Sequence, residues 1–448
     1  MKKPRLFGTD GVRGVYGEPP LDEKTLRRLA HALALELKDR FPSPRVLMGG
    51  DTRESTPAIG RLFAAELATQ GVGVTWLGVV PTPAVAALVR REGAAAGVVL
   101  SASHNPWHDN GVKLIDGDGF KWPPAAEARL EARLDQIGDG DVAGGEAELE
   151  VEAPLVEAYF YALLASLGDA RLEGLHLVLD TGNGAASAFA GRLFTAAGAT
   201  VRLINDRPDG RNINRGCGST HPEVAAAAVA EEGCELGFSF DGDADRALLA
   251  DENGTVRDGD AILYLWARDL KAKGLLHGDR IVATSMSNLG LEVALKREGI
   301  GTLRCDVGDR EVVDALEREH LILGGEQSGH IVNRHLTTTG DGLLTALQIA
   351  AIAAADGRPL SEQLEGLPRF PQILKSYRVV RKPALAGLPA VVAAQQRVDR
   401  ELGDEGRLVL RYSGTEPLVR IMIEGPSREK IERLEAELAA VLLAELAG

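Results

Sequence analysis

Cysteine is scarce in this chain of 448 residues, which contains only Cys217, Cys234 and Cys305. An odd number without zinc-type spacing predicts small core or loop side chains in a reducing compartment. Long apolar runs are missing too. The longest uncharged stretch, residues 342–355, is too short for a membrane span and instead predicts a buried helix.

An excess of basic residues is also absent. Lysine and arginine number 50 against 65 aspartates and glutamates, which leaves a formal charge of −15. Proteins that bind nucleic-acid phosphates are usually basic, so we expect no nucleic-acid partner. Any anionic ligand must be held by a local cluster of cations. The N-terminus has no apolar signal-peptide core, and we expect a cytoplasmic protein without a membrane partner.

The remaining composition is that of a folded multidomain protein. The chain is 45% hydrophobic and 26% charged, which excludes disordered and fibrous classes. Apolar runs such as residues 45–48, 72–77 and 97–100 alternate with helical patterns such as 26–37 and 58–70. This alternation predicts α/β units with largely parallel sheets. Several apolar runs end in polar loops, which predicts a site assembled from more than one domain at the carboxyl ends of strands.

Composition changes divide the chain into four predicted domains, residues 1–150, 151–253, 254–368 and 369–448. The first join is rich in glycine and acidic residues, the second is a turn signal, and the third is marked by prolines. The last segment combines strand, tight loop, strand and one amphipathic helix, which is typical of a small α+β domain.

A loop with three alternating aspartates carries the sharpest chemical signal. Residues 238–246 read FSFDGDADR, so Asp241, Asp243 and Asp245 lie between apolar runs. Their carboxylates can turn toward one hard cation, and oxygen ligands suit Mg²⁺. An EF-hand loop is excluded, because its sixth position is Arg246 instead of glycine. An aspartyl phosphotransferase with Asp241 as nucleophile is the weaker alternative.

A hydroxyl beside an imidazole marks a second candidate. Ser103 and His104 lie in the run SASHNP at residues 101–106, and Lys113 follows ten positions after Ser103. This arrangement fits a nucleophile with a base or charge partner, although Ser-His neighbours are also common in ordinary turns. The Gly-x-Ser-x-Gly elbow of serine hydrolases is absent. A carboxylate-bound cation elsewhere in the chain favours phosphoryl transfer.

A third loop has the features of a phosphate-binding site. Arg411 and Arg420 flank the run SGTEP. The hydroxyls and backbone N–H groups of this run form an anion-sized nest, and the arginines add bidentate donors. A plain hairpin turn is the alternative.

Two more loops supply groups for a sugar and a phosphate. Residues 324–330 read GGEQSGH, in which Glu326 and Ser328 can bind sugar hydroxyls. The N-terminal loop, residues 7–14, places Arg13 on a flexible glycine-rich frame. Neither loop is specific by itself.

Together these loops resemble those of the α-D-phosphohexomutases. That family has a phosphoserine loop, a DGDxDR metal loop, a GExSGH sugar loop and an RxSGTEP phosphate loop, and all four occur here in that order. The resemblance implies three related α/β domains with mixed or parallel sheets and a C-terminal α+β domain around a central cleft. The FGTDGVRG start and Gln327 are similar to bacterial members acting on glucosamine phosphates. Members acting on glucose or mannose phosphates are the alternative.

The resemblance also implies a role for each loop. Ser103 would carry a phosphoryl group as phosphoserine and would bind Mg²⁺ together with Asp241, Asp243 and Asp245. Candidates for proton handling and charge stabilisation are Lys113, the first choice, and His104, Arg13 and His330. Substrate-binding residues would be Arg246, Gly308, Asp309, Glu326, Ser328, Arg411, Ser413, Gly414, Thr415 and Arg420.

The activity implied by the resemblance converts glucosamine 6-phosphate into glucosamine 1-phosphate through a sugar 1,6-bisphosphate, which is both intermediate and activator. The product would feed the synthesis of UDP-N-acetylglucosamine and the cell envelope. The partner is a small phosphosugar, and a homodimer is compatible with the sequence. A non-catalytic phosphosugar sensor is the alternative from another functional class.

Overall fold

The computed structural model describes residues 6–8, 10–138, 140–142, 144–403, 406–413 and 417–446. Within these ranges the strands form four sheets, with five, five, four and three strands along the chain. None of the helices in the same ranges has both the length and the apolarity that a membrane span requires.

The first sheet is mixed and has the strand order β1-β5-β4-β2-β3. Its strands are β1 (Val12–Val15), β2 (Arg45–Gly50), β3 (Gly73–Val79), β4 (Ala96–Leu100) and β5 (Asp109–Asp116). The accompanying helices are α1 (Glu23–Arg40), α2 (Ser55–Thr69), α3 (Thr82–Glu92) and α4 (Pro124–Leu134). Strand β2 is parallel to β3 and β4, whereas β5 is antiparallel to β4 and to β1.

The second sheet repeats this arrangement with the order β10-β9-β8-β6-β7. Its strands are β6 (His176–Asp180), β7 (Thr200–Ile204), β8 (Leu236–Phe240), β9 (Ala247–Asp251) and β10 (Val256–Arg257). Its helices are α5 (Ala153–Ala165), α6 (Ala190–Ala196) and α7 (Glu223–Glu232). The predicted boundary at residue 253 falls between the paired strands β9 and β10, so this sheet continues to Arg257. The domain boundaries stay a prediction.

The third sheet has the order β12-β11-β13-β14, and among the described residues it has no counterpart of the outer strands β1 and β10. Its strands are β11 (Arg280–Thr284), β12 (Gly301–Cys305), β13 (Leu323–Gly325) and β14 (Ile331–Asn333). The helices of this part are α8 (Gly259–Ala272), α9 (Leu289–Arg297), α10 (Asp309–Arg318), α11 (Gly342–Asp356) and α12 (Leu360–Gln363). Helix α11 confirms the buried helix predicted at residues 342–355.

The C-terminal sheet is antiparallel and has the order β15-β17-β16. Its strands are β15 (Gln372–Arg378), β16 (Arg407–Tyr412) and β17 (Leu418–Glu424), and its helices are α13 (Pro389–Leu402) and α14 (Arg428–Leu446). Residues Ile431, Leu434 and Leu438 of α14 are fully buried, as its apolar periodicity predicts. The expected α+β domain is therefore present.

One connection occurs in the same place in each of the first three sheets. The inner strands β4, β8 and β13 each run parallel to one neighbour and turn back through a loop into an antiparallel partner. This shared topology confirms the three related α/β domains. The loops that follow β4, β8 and β13 carry the serine, aspartate and sugar motifs, respectively. The three motifs therefore occupy equivalent positions in the three domains.

Local sequence explains where these elements begin and end. All five residues of β4 are buried apolar or glycine positions, which is typical of a strand covered by helices on both faces. The side chains of Asp22, Asn288 and Asp341 accept backbone N–H bonds at the starts of α1, α9 and α11. Gly93 ends α3 in the left-handed conformation, with φ of 60°.

The apolar core of the α/β domains is distinct from that of the C-terminal domain. One continuous cluster joins residues of the first three sheets, among them Leu47, Leu179 and Ile281. The C-terminal sheet has its own cluster, which includes Ile421. The join between them is held by Asn288, whose amide donates to the carbonyl of Phe370 and accepts from its N–H, both at 3.0 Å.

Candidate active site

Ser103 lies just after β4 and is almost completely buried. Its backbone is left-handed, with φ of 52°, which few non-glycine residues adopt. Its Oγ donates a hydrogen bond to Asp241 Oδ2 at 2.6 Å, and His104 Nδ1 lies 3.4 Å from the same Oγ. The structure therefore brings the predicted nucleophile onto the predicted metal loop, although the two are far apart in sequence.

The three aspartates lie in the loop between β8 and β9 and form a buried cluster. Asp241, Asp243 and Asp245 each offer a ligand atom, and these atoms lie within 4.8 Å of one another. Burial, together with repulsion from Asp245 and Asp243, raises the pKa of Asp241 well above its ordinary value. Asp243 Oδ1 and Asp245 Oδ1 are buried without a hydrogen-bond partner in the described part of the chain. Such a set of oxygen donors fits a hard divalent cation.

Lys113 partly neutralises this cluster from β5. Its Nζ lies 2.8 Å from Asp243 Oδ2, 2.9 Å from Asp10 Oδ2 and 3.8 Å from Asp245 Oδ2. Burial would lower the pKa of Lys113, but these three carboxylates outweigh it and raise the pKa above its ordinary value. Lys113 is therefore a buried cation beside Asp10, Asp243 and Asp245.

A cleft of about 610 Å³ opens next to these groups. Residues of the three α/β domains and Arg411 of strand β16 line it, which confirms the expected central cleft. The predicted site residues on its walls are Arg13, His104, Asp245, Arg246, Gly308, Asp309, Glu326, His330 and Arg411.

The two histidines of the cleft differ in their surroundings. Burial and the charges of Arg246 and Arg13 lower the pKa of His104, so its neutral form is favoured. His330 is buried, and its Nε2 accepts the N–H of Gly340 at 3.2 Å. This contact assigns the proton of the neutral ring to Nδ1, so His330 can donate a hydrogen bond through Nδ1.

The sugar loop is tied to the start of α10. The N–H of Gly308 donates to Glu326 Oε1 at 3.1 Å, and Ser328 Oγ lies 3.4 Å from Glu326 Oε2. Glu326 is buried whereas Ser328 is exposed. Glu326 is thus held in the cleft wall, with Ser328 beside it at the surface.

The predicted phosphate loop joins β16 to β17. Arg411 and Arg420 stand directly opposite each other in the strand register, so their side chains emerge on one face. Like charges in directly opposed positions repel each other. Ser413 is buried, and its carbonyl accepts from Lys382 Nζ at 2.6 Å. Gly414 and Thr415 lie outside the described residues.

Lys121 and Asp10, which the sequence did not single out, also line the cleft. Lys121 contacts both Asp10 and Asp309, and therefore links the first and third sheets. Burial would raise the pKa of Asp309, but the charge of Lys121 outweighs this effect, and the pKa falls to about 2. Asp10 lies in the glycine-rich N-terminal loop that supplied Arg13, whereas nothing in the sequence around Lys121 indicates its position.

Family comparisons agree with this architecture. Models described as phosphoglucomutase/phosphomannomutase alpha/beta/alpha domains I, II and III match residues 4–140, 157–254 and 258–370, and the family's C-terminal domain matches residues 374–441. The chain belongs to the phosphoglucomutase/phosphomannomutase family. This phosphohexomutase chain is 44% identical to phosphoglucosamine mutase of Koribacter versatilis, over 99% of this chain and 98% of the relative. It is also 44% identical to phosphoglucosamine mutase of Solibacter usitatus, over 98% and 99%.

Solved structures of other phosphohexomutases have the same fold. A phosphoglucomutase/phosphomannomutase family protein from Burkholderia thailandensis superposes with a TM-score of 0.82 and 25% identity, covering 99% of this chain and 98% of that chain. N-acetylphosphoglucosamine mutase from Aspergillus fumigatus, in complex with GlcNAc-6P and magnesium, superposes with a TM-score of 0.64 at 19% identity. That match covers 98% of this chain and 95% of the other.

Proposed function

We propose that this enzyme interconverts glucosamine 6-phosphate and glucosamine 1-phosphate, the activity named for its full-length relatives. The observation that carries the proposal is the 2.6 Å hydrogen bond from Ser103 Oγ to Asp241. It joins a nucleophile to a cluster of three carboxylates beside a sugar-sized cleft. Phosphoryl transfer depends on this combination of positioning and charge neutralisation.

The first half-reaction begins with Ser103 as phosphoserine. The phosphoryl group passes to the O1 hydroxyl of glucosamine 6-phosphate: the bond from phosphorus to Ser103 Oγ breaks and a bond to O1 forms. The O1 proton leaves to a base, and Ser103 Oγ regains a proton. Lys113 is our candidate for stabilising charge on the transferring group, and His104 is the imidazole nearest to Ser103 Oγ.

Asp241, Asp243 and Asp245 would hold a Mg²⁺ ion, with Ser103 as a further ligand. Their unpartnered buried oxygens support this assignment, and so does the magnesium complex of the Aspergillus fumigatus enzyme. When bound, the ion supplies Lewis-acid stabilisation of negative charge on the phosphoryl oxygens.

The second half-reaction needs the sugar 1,6-bisphosphate to turn around, so that the phosphate on O6 returns to Ser103. We propose that Arg411, Arg420 and Ser413, with Gly414 and Thr415, hold whichever phosphate is not reacting. The remaining predicted contacts, Arg13, Arg246, Gly308, Asp309, Glu326, Ser328 and His330, would bind the sugar and its charges in either orientation.

Turning also requires the cleft to open, and the domain cores suggest where. One apolar cluster links the three α/β domains, while the C-terminal domain has a cluster of its own. Rotation at the join beside Asn288 and Phe370 would therefore move Arg411 relative to Ser103 without breaking either core. Closure would exclude water during transfer.

The test is the conversion of three substrates by the purified, full-length protein with Mg²⁺ and a sugar 1,6-bisphosphate. Glucosamine 6-phosphate, glucose 6-phosphate and mannose 6-phosphate are each followed by ³¹P NMR. We expect kcat/KM to be at least tenfold higher for glucosamine 6-phosphate. Turnover of another hexose phosphate with none of the amino sugar would refute the substrate, and no turnover of any would favour a phosphosugar sensor.

A further inference from the structure

The backbone of Ser103 is held in a conformation that serine does not adopt readily. Its φ of 52° lies in the left-handed region, where a side chain is strained. The orientation of Oγ toward Asp241 depends on this backbone, so something must hold it. Strain of this kind persists only where the surrounding structure determines it.

Two buried side chains donate hydrogen bonds to the backbone carbonyls of Ser103 and Asn105, the residues on either side of His104. Arg53 Nη2 donates to the carbonyl of Ser103 at 3.1 Å and to that of Asn105 at 2.6 Å. Asn214 Nδ2 donates to the same two carbonyls at 2.9 and 3.1 Å. Both carbonyls are therefore held by two donors each, and the donors come from different domains.

Arg53 belongs to a buried network beneath the serine. It follows β2, has no exposed side-chain surface, and is paired with Asp51. Asp51 accepts a hydrogen bond from Ser101 Oγ, which in turn accepts the N–H of Ser103 at 2.9 Å. The N–H and the carbonyl of Ser103 are therefore both hydrogen-bonded to this network, the N–H through Ser101 and the carbonyl through Arg53.

Asn214 reaches the same point from the second domain. It lies at the end of the segment Asn212-Ile213-Asn214, which follows β7. Its φ is 56°, and its N–H donates to the carbonyl of Gly182 at 2.9 Å. The metal loop packs closely against the same contact at Gly242. A Cβ at this position would lie only 2.5 Å from the Ser103 carbonyl oxygen and 3.0 Å from Asn214 Nδ2, so only glycine fits there. The serine loop, the metal loop and Asn214 therefore pack as one unit.

We propose that Arg53 and Asn214 are positioning residues that hold Ser103 Oγ in line for phosphoryl transfer. They act through the Ser103 and Asn105 carbonyls. This inference rests on the proposed function. Positioning of a reacting group contributes to the chemical step, so loss of either side chain should lower kcat and leave KM nearly unchanged.

Asn214→Gly is the sharpest variant, because glycine adopts the positive φ at this position without strain and the amide donors are lost. Asn214→Asp keeps the shape but replaces the donors with a carboxylate. The matched control is Asn212→Ala in the same loop, whose side chain donates to the Arg207 carbonyl instead. Arg53→Lys keeps the charge beside Asp51 but lacks the forked guanidinium.

The experiment compares steady-state kinetics, labelling of Ser103 by a ³²P sugar 1,6-bisphosphate, and hydrogen exchange of the peptide covering residues 101–106. We expect Asn214→Gly and Asn214→Asp to lose at least tenfold in kcat and in labelling rate, with KM within threefold of wild type. Exchange in the serine loop should become faster. Asn212→Ala should match wild type in all three, and Arg53→Lys should resemble Asn214→Gly.

An unchanged kcat in Asn214→Gly, or a loss equal to that of Asn212→Ala, would overturn the proposal. So would retained activity in Asn214→Asp, because a carboxylate cannot donate. If a variant does not fold, the exchange and labelling of Arg53→Lys decide the question. Failure of the proposed function is distinguishable, since wild type would then turn over no glucosamine phosphate while the effect on loop exchange would remain.

Discussion

Arg411→Ala tests the phosphate-binding loop and, with it, the turning of the intermediate. Arg411 lies on the wall of the cleft and opposite Arg420 in the strand register. The variant removes one guanidinium from this paired arrangement and leaves the aspartate cluster and Ser103 untouched. We therefore expect weaker binding of the phosphosugar with little change in the chemical step.

The expected size follows from one charge-assisted hydrogen bond to phosphate, which contributes about 1.5–3 kcal/mol. Since each 1.4 kcal/mol corresponds to a factor of ten, KM should rise by about 10- to 150-fold. The bisphosphate intermediate depends on the same contact while it turns, so a larger share of it should escape before the second transfer.

The assay combines steady-state kinetics with a single turnover of ³²P-labelled phosphoenzyme, in which released bisphosphate is separated from product. Arg400→Ala is the control, because it removes an exposed arginine from the last turn of helix α13 in the same domain. An unchanged KM together with no released bisphosphate would mean that the loop is only a hairpin turn, and the phosphate-binding role would be wrong.

Three further predictions concern the serine, the metal and a buried carboxyl group. Ser103→Ala should lose nearly all turnover and all labelling by ³²P bisphosphate while its melting temperature stays near that of wild type; activity within tenfold of wild type would contradict the phosphoserine. Asp243→Asn removes one buried charge at almost constant volume, so calorimetry should show weaker Mg²⁺ binding, and EDTA should abolish wild-type activity; full activity in EDTA would contradict the metal role. Burial raises the pKa of Asp341 to about 6, so the folded state favours the protonated carboxyl, and the stability from this group is present below about pH 4 and is lost as the pH rises through 6. As the pH rises over that range, the free energy of unfolding of wild type should therefore fall by about 1–3 kcal/mol relative to that of Asp341→Asn. Melting curves measured at pH 4.5 and pH 8 test this, and the same difference in stability between the two proteins at both pH values would contradict it.

The repeating α/β architecture could be predicted because the relevant patterns are local. Apolar runs such as β4 and the helical period of α11 are properties of short segments. Each motif of the site is also contiguous, and the DGDxDR run needs no tertiary information to suggest a cation site. The pairing of β9 with β10 across the turn near residue 253 is not a property of either short segment, so it could be seen only in the folded chain.

The sequence alone therefore determined the fold class, the family resemblance and the positions of the four motif loops. Only the tertiary structure decided which side chains meet. Lys121 reaches Asp309 from another domain, and Asn214 reaches the carbonyl of Ser103 across more than a hundred residues. Such contacts depend on how the sheets pack against one another, and packing arises from the summed burial of many distant apolar side chains. No short run of sequence encodes that sum, so the partners of Ser103 could be found only in the folded chain.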